Sequence, residues 1–262
     1  MTEARRGFLL GVAAYVLWGV FPLYWTLLEP AGAVEILAHR VAWSLLVMAG
    51  LTFVLRRTPQ LRAILHSRRL LALLTLASVV IGINWGVFIW GVNNDRVVEV
   101  SLGYFINPLV TVLLGVVVLG ERLRPPQWTA IGIAALAVLG LTLDYGHPPW
   151  VAFALAGSFG TYGLAKKKAG VDAVESLTFE TLVLMPVALG YLVWLWAQGS
   201  ASFGAHGVGH ALLLSTTGVV TAIPLICFGA AAIRVSMTTI GLLQYLAPTI
   251  RSSSAWSSST RR

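Results

Sequence analysis

A chain of 262 residues in which 57% are hydrophobic and only 11% charged cannot present the surface of a soluble domain, where about a quarter of residues are charged. With a mean hydropathy of +0.82, the formal charge of +8, from 18 Lys and Arg against 10 Asp and Glu, points to a bilayer protein with basic flanks and away from nucleic-acid binding. The single cysteine, Cys227, excludes an internal disulfide and a Cys-based redox or metal motif, and no cofactor is expected.

A transmembrane helix needs roughly 20 mostly apolar residues. Along the chain such stretches run over 7–28, 33–55, 70–92, 97–120, 127–143, 150–165, 175–198 and 211–233, which predicts an all-α integral membrane protein with eight full spans. A partial ninth begins near Met237 and gives way after Ile250 to RSSSAWSSSTRR. The opening MTEARR and the apolar run behind it read as a retained first helix, because the run is longer than a signal-peptide core and no A-x-A-like site follows. Pro22, Pro108, Pro186, Pro224 and Pro248 are expected to interrupt five spans, and Gly82 with Gly86 to allow a close helix contact.

Basic residues near span ends mark the cytoplasmic side. With the N-terminus inside, the inner segments hold Arg5, Arg6, Arg56, Arg57, Arg62, Arg68, Arg69, Arg122, Arg124, Lys166, Lys167, Lys168 and Arg234, thirteen of the 18, whereas the outer loops hold only Arg96. Arg40 lies within a span, and Arg251, Arg261 and Arg262 lie in the tail. The outer loops LEPAG, NNDR, DYGHPP and 199–210 leave no room for a sizeable outer domain. RRTPQLRAILHSRR reads as a solvated inner loop within reach of anionic lipid headgroups.

Shifting the chain by 140 positions aligns Glu35 with Glu175, Phe88 with Phe228, Pro108 with Pro248 and Arg40 with Glu180. Five helices followed by a diverged copy of themselves form an inverted-topology repeat, since an odd number of spans makes the copy enter from the opposite side. The units are 1–143, 149–250 (incomplete) and an aberrant polar tail, 251–262. Such repeats favour alternating access around a site near the midplane.

Ionisable groups within spans are costly and mark candidate sites. Arg40 reads as a lining of the transport cavity or as one side of a structural pair, and Glu180 as either of these or as a proton-coupling carboxylate. His39 reads as a packing residue or a proton relay. Glu35 and Glu99, near the outer interface, are read as solvated or functional. Glu99 shares a helix face with Gly103 and Asn107. Asn84 and Trp85, mid-span in GINWGVFIWGVNN, could line a cavity for an organic solute, while Trp90, Trp150 and Trp196 read as interfacial belts. Tyr104 and, in LLQYLAPT, Gln244 complete the substrate-binding candidates: Arg40, Glu180, His39, Asn84, Trp85, Glu99, Tyr104, Asn107 and Gln244. No His/Cys pair has metal-ligand spacing.

The segments EILAHRVAWS (35–44), GINWGVFIWGVNN (82–94), VEVSLGYFINPLVTVLLGVVVLGERL (98–123), YGLAKKK (162–168), ETLVLMPVALGYL (180–192) and TAIPLICFGAAAIR (221–234) closely resemble the RarD group, in the EamA-like branch of the drug/metabolite transporter superfamily. The resemblance extends to about Thr249. It implies a ten-helix permease of the bacterial inner membrane, with both termini cytoplasmic, of the kind labelled chloramphenicol-sensitivity proteins. Relative to that pattern the C-terminus reads as truncated or frameshifted, lacking the end of the ninth helix and a tenth. The expected function is secondary-active, alternating-access transport of a small organic solute, with room for a coupling ion and for a homodimer. The alternatives are a truncated non-functional or scaffold membrane protein and, behind these, an integral-membrane lipid-modifying enzyme. The last would need clustered catalytic carboxylates, and the chain shows only isolated ones.

Overall fold

The computed structural model describes residues 2–144, 148–247 and 249, and every regular element among them is helical. In hydrocarbon a helix satisfies its own backbone polar groups, which is why these apolar runs fold this way. In chain order the helices are α1 (Glu3–Trp25), α2 (Ala33–Val54), α3 (Thr58–His66), α4 (Arg68–Asn93), α5 (Val97–Leu119), α6 (Pro125–Asp144), α7 (Trp150–Ala169), α8 (Ala173–Ala197), α9 (Gly207–Ala232) and α10 (Met237–Gln244), with one 3-10 turn, Thr26–Leu28. Ser and Asp side chains start several of them: Asp172 accepts from Ala173 N at 2.8 Å and Ser236 from Thr239 N at 3.1 Å. Left-handed glycines end α5 (Gly120, φ 67°) and α7 (Gly170, φ 62°).

Among the described residues seven helices are long and apolar enough to cross a bilayer: α1 over Glu3–Phe21, α2, α4, α5, α6 over Pro125–Leu143, α8 and α9. The difference from the eight full spans expected falls on α7, which forms over the expected segment but carries Lys166, Lys167 and Lys168 in its last turn. Its Val151, Ala152, Leu155, Ala156 and Tyr162 are buried against other helices, much as α9 is, so the shortfall lies in the composition of α7 and not in its surroundings. The opposite extreme is α6, which rests on α5 and has none of its span buried.

Three further expectations are corrected. The inner segment read as a solvated loop contains α3, a short amphipathic helix whose Ile64 is buried with Leu74 and Phe179. Pro108, Pro186 and Pro224 lie inside continuous helices, and the backbone of α1 stays helical through Pro22. A Cβ on Gly82 would meet Leu184, whereas Gly86 faces open space, so the two do not act as a pair. Pro248, residues 145–147 of DYGHPP and the tail 251–262 lie outside the described residues.

The helices pack as α7 between α4 and α5, α1 on α9, α2 on both α8 and α9, and α10 on α5. Association inside a membrane depends on close backbone approach and interhelical hydrogen bonds, because lipid is as apolar as a side chain. Ser44 Oγ of α2 donates to Gly218 O of α9 at 3.1 Å, and the Thr52 and Thr178 hydroxyls join α2 to α8 at 2.8 Å. A Cβ on Gly218 would lie 2.4 Å from the backbone carbonyl carbon of Trp43. Gly218→Val is therefore expected to push α9 off α2 and cost about 1–3 kcal/mol, typical of an overpacked core. A melting temperature equal to that of the unmodified chain in the same detergent would contradict this.

Candidate functional site

Helical periodicity aims one stripe of each of several helices at a common space. From α1 come Tyr15, Trp18, Phe21 and Trp25; from α4, Ile81, Asn84, Trp85 and Phe88; from α5, Gly103, Tyr104 and Asn107; from α7, Leu155 and Phe159. With Arg40 of α2, Leu225 of α9 and Gln244 and Ala247 of the last segment they enclose a cavity of about 170 Å³. Eight of the lining residues are aromatic and one, Arg40, is charged.

Arg40 is held from three sides. Its Nε donates to Thr221 Oγ1 at 3.0 Å, and its guanidinium carbon lies 4.8 Å from the Trp25 ring centroid and 4.9 Å from that of Trp85. A cation over an aromatic face is stabilised by the ring quadrupole, by about 2 kcal/mol when desolvated. Among the described residues no Asp or Glu forms an ion pair with it. Asn84 Nδ2 donates to Leu155 O and Ser158 Oγ, each at 2.9 Å, which fixes α4 to α7 at the cavity wall. Gln244 Nε2 donates to Thr111 Oγ1 at 3.0 Å. Asn107 Oδ1 is buried without a hydrogen bond among the described residues.

Of the nine candidates read from the sequence, Arg40, Asn84, Trp85, Tyr104, Asn107 and Gln244 line this cavity. The other three do not. Glu180 lies behind the wall, in a narrow crevice that also touches Arg40, Tyr162 and Thr221. Its Oε1 accepts from Lys166 Nζ at 2.6 Å and Ser176 Oγ at 2.7 Å, and its Oε2 from Tyr162 Oη at 2.9 Å. His39 stacks on Phe203, ring centroids 5.0 Å apart, with Nε2 3.9 Å from Glu35 Oε1. Glu99 accepts from Arg96 at 2.6 Å and from Val151 N, at the start of α7, at 3.1 Å. Glu99 and Glu35 are 0% and 3% exposed, so of the two readings, solvated or functional, the solvated one is corrected for both. Glu35 accepts from Ser202 N at 2.7 Å. The belt residues Trp90, Trp150 and Trp196 are exposed, Trp90 and Trp150 with ring centroids 5.0 Å apart.

Two groups were missed from sequence. The stripe Tyr15, Trp18, Phe21 and Trp25 has a visible signal, its three-to-four-residue spacing in YVLWGVFPLYW. Lys166, assigned to a cytoplasmic cluster, is 2% exposed inside the bundle. Its signal was Glu180, since a carboxylate within a span needs a cation or donors.

The cavity lies between the middle of the bundle and the end away from the basic cluster. Toward the basic end it is floored by Phe159, Phe228 and Tyr162, with Tyr162 and Phe228 stacked at 5.5 Å and 11°. Beneath them comes the Lys166–Glu180 pair. Below that, Arg57 of the α2–α3 link meets Glu175 at 3.1 Å and Asp172 at 3.7 Å, Lys167 donates to Val235 O, and Arg234 binds Glu3 at 2.8 Å. Glu121 accepts from Met237 N at 2.7 Å and Thr238 N at 2.9 Å, holding the start of α10. These contacts tie both halves of the chain together at that end.

Residues 5–143 match the model of the EamA-like transporter family. The chain is 58% identical over 246 residues to Protein RarD of Streptomyces exfoliatus, covering 94% of this chain and 78% of that one. It is 45% identical over 252 residues to an uncharacterized transporter, YojE, of Bacillus subtilis (95% and 84% covered), and 35% identical over 257 residues to the chloramphenicol-sensitive protein RarD of Pseudomonas aeruginosa (95% and 84%). A solved crystal structure shares the fold with a TM-score of 0.71 at 17% identity, over 94% of this chain and 85% of that one.

Proposed function

The chain belongs to the RarD group of the EamA-like transporter family, and from that premise we propose that it is a secondary-active permease carrying a small organic solute across the bacterial inner membrane. The observation that carries this reading is the aromatic cavity of about 170 Å³ between the middle of the bundle and its less basic end, with the Lys166–Glu180 layer and the Arg57–Glu175 contact below it. A cavity set toward one end, with packed layers between it and the other, fits one stage of alternating access. The basic end is the cytoplasmic one by the excess of Lys and Arg, so in this reading solute enters from the outside and the N-terminus is inside.

The helix pairing supports two inverted halves, 1–143 and 149–250. Under the 140-residue shift α1 corresponds to α7, α2 to α8, α4 to α9 and α5 to α10. The contact of α4 with α7 then maps onto that of α9 with α1, while α2 with α8 and α5 with α10 map onto themselves. A two-fold axis in the membrane plane produces that pattern. Rocking of the halves about it, driven by a coupling ion or by exchange, would open the basic end and close the other.

The test is flux into proteoliposomes holding the purified full chain, with a panel of labelled organic acids, amino acids, amines and chloramphenicol. Uptake of at least one solute above protein-free vesicles is expected, and Arg40→Ala should lower it about tenfold or more at unchanged protein content. No uptake of any solute from either side would end the permease reading, and full uptake by Arg40→Ala would remove Arg40 from the site.

A further inference from the structure

Resting on the permease reading, we propose that the solute is a small monoanionic acid with a flat apolar body, its carboxylate taken by Arg40.

The cavity wall carries one positive charge, Arg40, with no ion-pair partner among the described residues. An ionised side chain at this depth is stable when it faces a partner or a polar cavity. The acids that could neutralise Arg40 are already committed: Glu180 shares a crevice with it but accepts from Lys166, Ser176 and Tyr162, and Glu35 and Glu99 are bound by Ser202 N and by Arg96 with Val151 N. Arg40 spends Nε on Thr221. Among the described residues neither Nη group donates a hydrogen bond, which leaves a planar fork matched to the two oxygens of a carboxylate.

The rest of the cavity fixes the body of the solute. The faces of Trp25 and Trp85 flank the guanidinium, and Trp18, Phe88 and Phe159 supply further ring surface. A ring cluster of this kind could also hold an organic cation, but the guanidinium inside it repels one. Size narrows the class further. An engineered apolar cavity of about 150 Å³ accepts benzene, so about 170 Å³ suits one six-membered ring with a small substituent. Benzoate is the simplest probe with that charge and size.

The probes are benzoate, its neutral isostere benzamide and the cation benzylamine, titrated at neutral pH into the full chain in lipid nanodiscs and followed by tryptophan fluorescence. Benzoate is expected to bind about tenfold or more tighter than benzamide, the scale of one charge-assisted hydrogen-bonded pair, and benzylamine more weakly than either. The preference should collapse in Arg40→Gln and survive in part in Arg40→Lys. The ligand panel on the unmodified chain decides the matter even if a variant fails to fold. Benzamide or benzylamine binding as tightly as benzoate, no binding of any of the three, or an undiminished preference in Arg40→Gln would overturn the assignment. Flux of a neutral solute that benzoate does not inhibit would overturn it while leaving the permease reading standing, whereas absence of all flux would remove the permease reading itself.

Discussion

Lys166→Met should lose about 3–5 kcal/mol of stability, the cost of removing one partner from a buried ion pair. Both side chains of the Lys166–Glu180 pair are 2% exposed and their charged atoms lie 2.6 Å apart. Ser176 and Tyr162 complete the site, so the carboxylate accepts three hydrogen bonds and the ammonium donates two. Without the lysine, Glu180 would keep two neutral donors and would have to take up a proton or stay charged among Tyr162, Leu177 and Leu225. The double change Lys166→Met with Glu180→Leu should recover much of the loss, because a buried pair and a well-packed apolar pair are often nearly equal in stability. Thermal unfolding of the two single variants and the double variant in one detergent provides the cycle. Strictly additive losses would show that the two groups do not interact as their geometry requires.

The same residues show where sequence reading reaches and where it stops. Apolar length located the spans because hydrocarbon thickness sets a hard requirement on each one. It also located α7, which forms over the expected 150–165 although Gly157, Ser158, Gly160 and Thr161 make it less apolar than the other spans. Arg40 was legible as a site candidate because a cation at that depth is expensive wherever it points, and Asn84, Trp85 and Asn107 because polar or amphipathic groups mid-span need a reason. Direction was not legible. His39 and Arg40 are neighbours in sequence, yet one stacks on Phe203 and the other sits between Trp25 and Trp85. Consecutive residues on a helix point about 100° apart, and which direction meets the cavity is decided by the packing of α2 on α8 and α9. The 140-residue register, likewise, placed Arg40 and Glu180 in equivalent positions without revealing that Lys166, from a third helix, claims the carboxylate.

Joining Thr52 to Thr178 by a disulfide should stop transport outright and reversibly. The two hydroxyl oxygens are 2.8 Å apart and buried, near the end of α2 and the start of α8. Side chains whose γ-atoms meet this closely bring two cysteine sulfurs within reach of each other, the first requirement for a disulfide. The contact lies on the basic side of the cavity, close to the Arg57–Glu175 pair that begins one turn further on. If rocking of the two halves opens that end, α2 and α8 must separate or slide there, and the hydroxyl pair must part in every cycle. A Thr52→Cys, Thr178→Cys chain in a Cys227→Ser background should therefore bind solute from the outer side as before, yet show no flux when oxidised and regain it on reduction. The single-cysteine chains, treated alike, should transport at the parent rate, since replacing one threonine removes only a hydrogen bond worth about 0.6 kcal/mol in membrane helices. Undiminished flux through the fully crosslinked protein would mean that α2 and α8 stay together throughout the cycle. Opening would then have to occur between other helices, and Arg57, Glu175 and Asp172 would be structural ties instead of a gate.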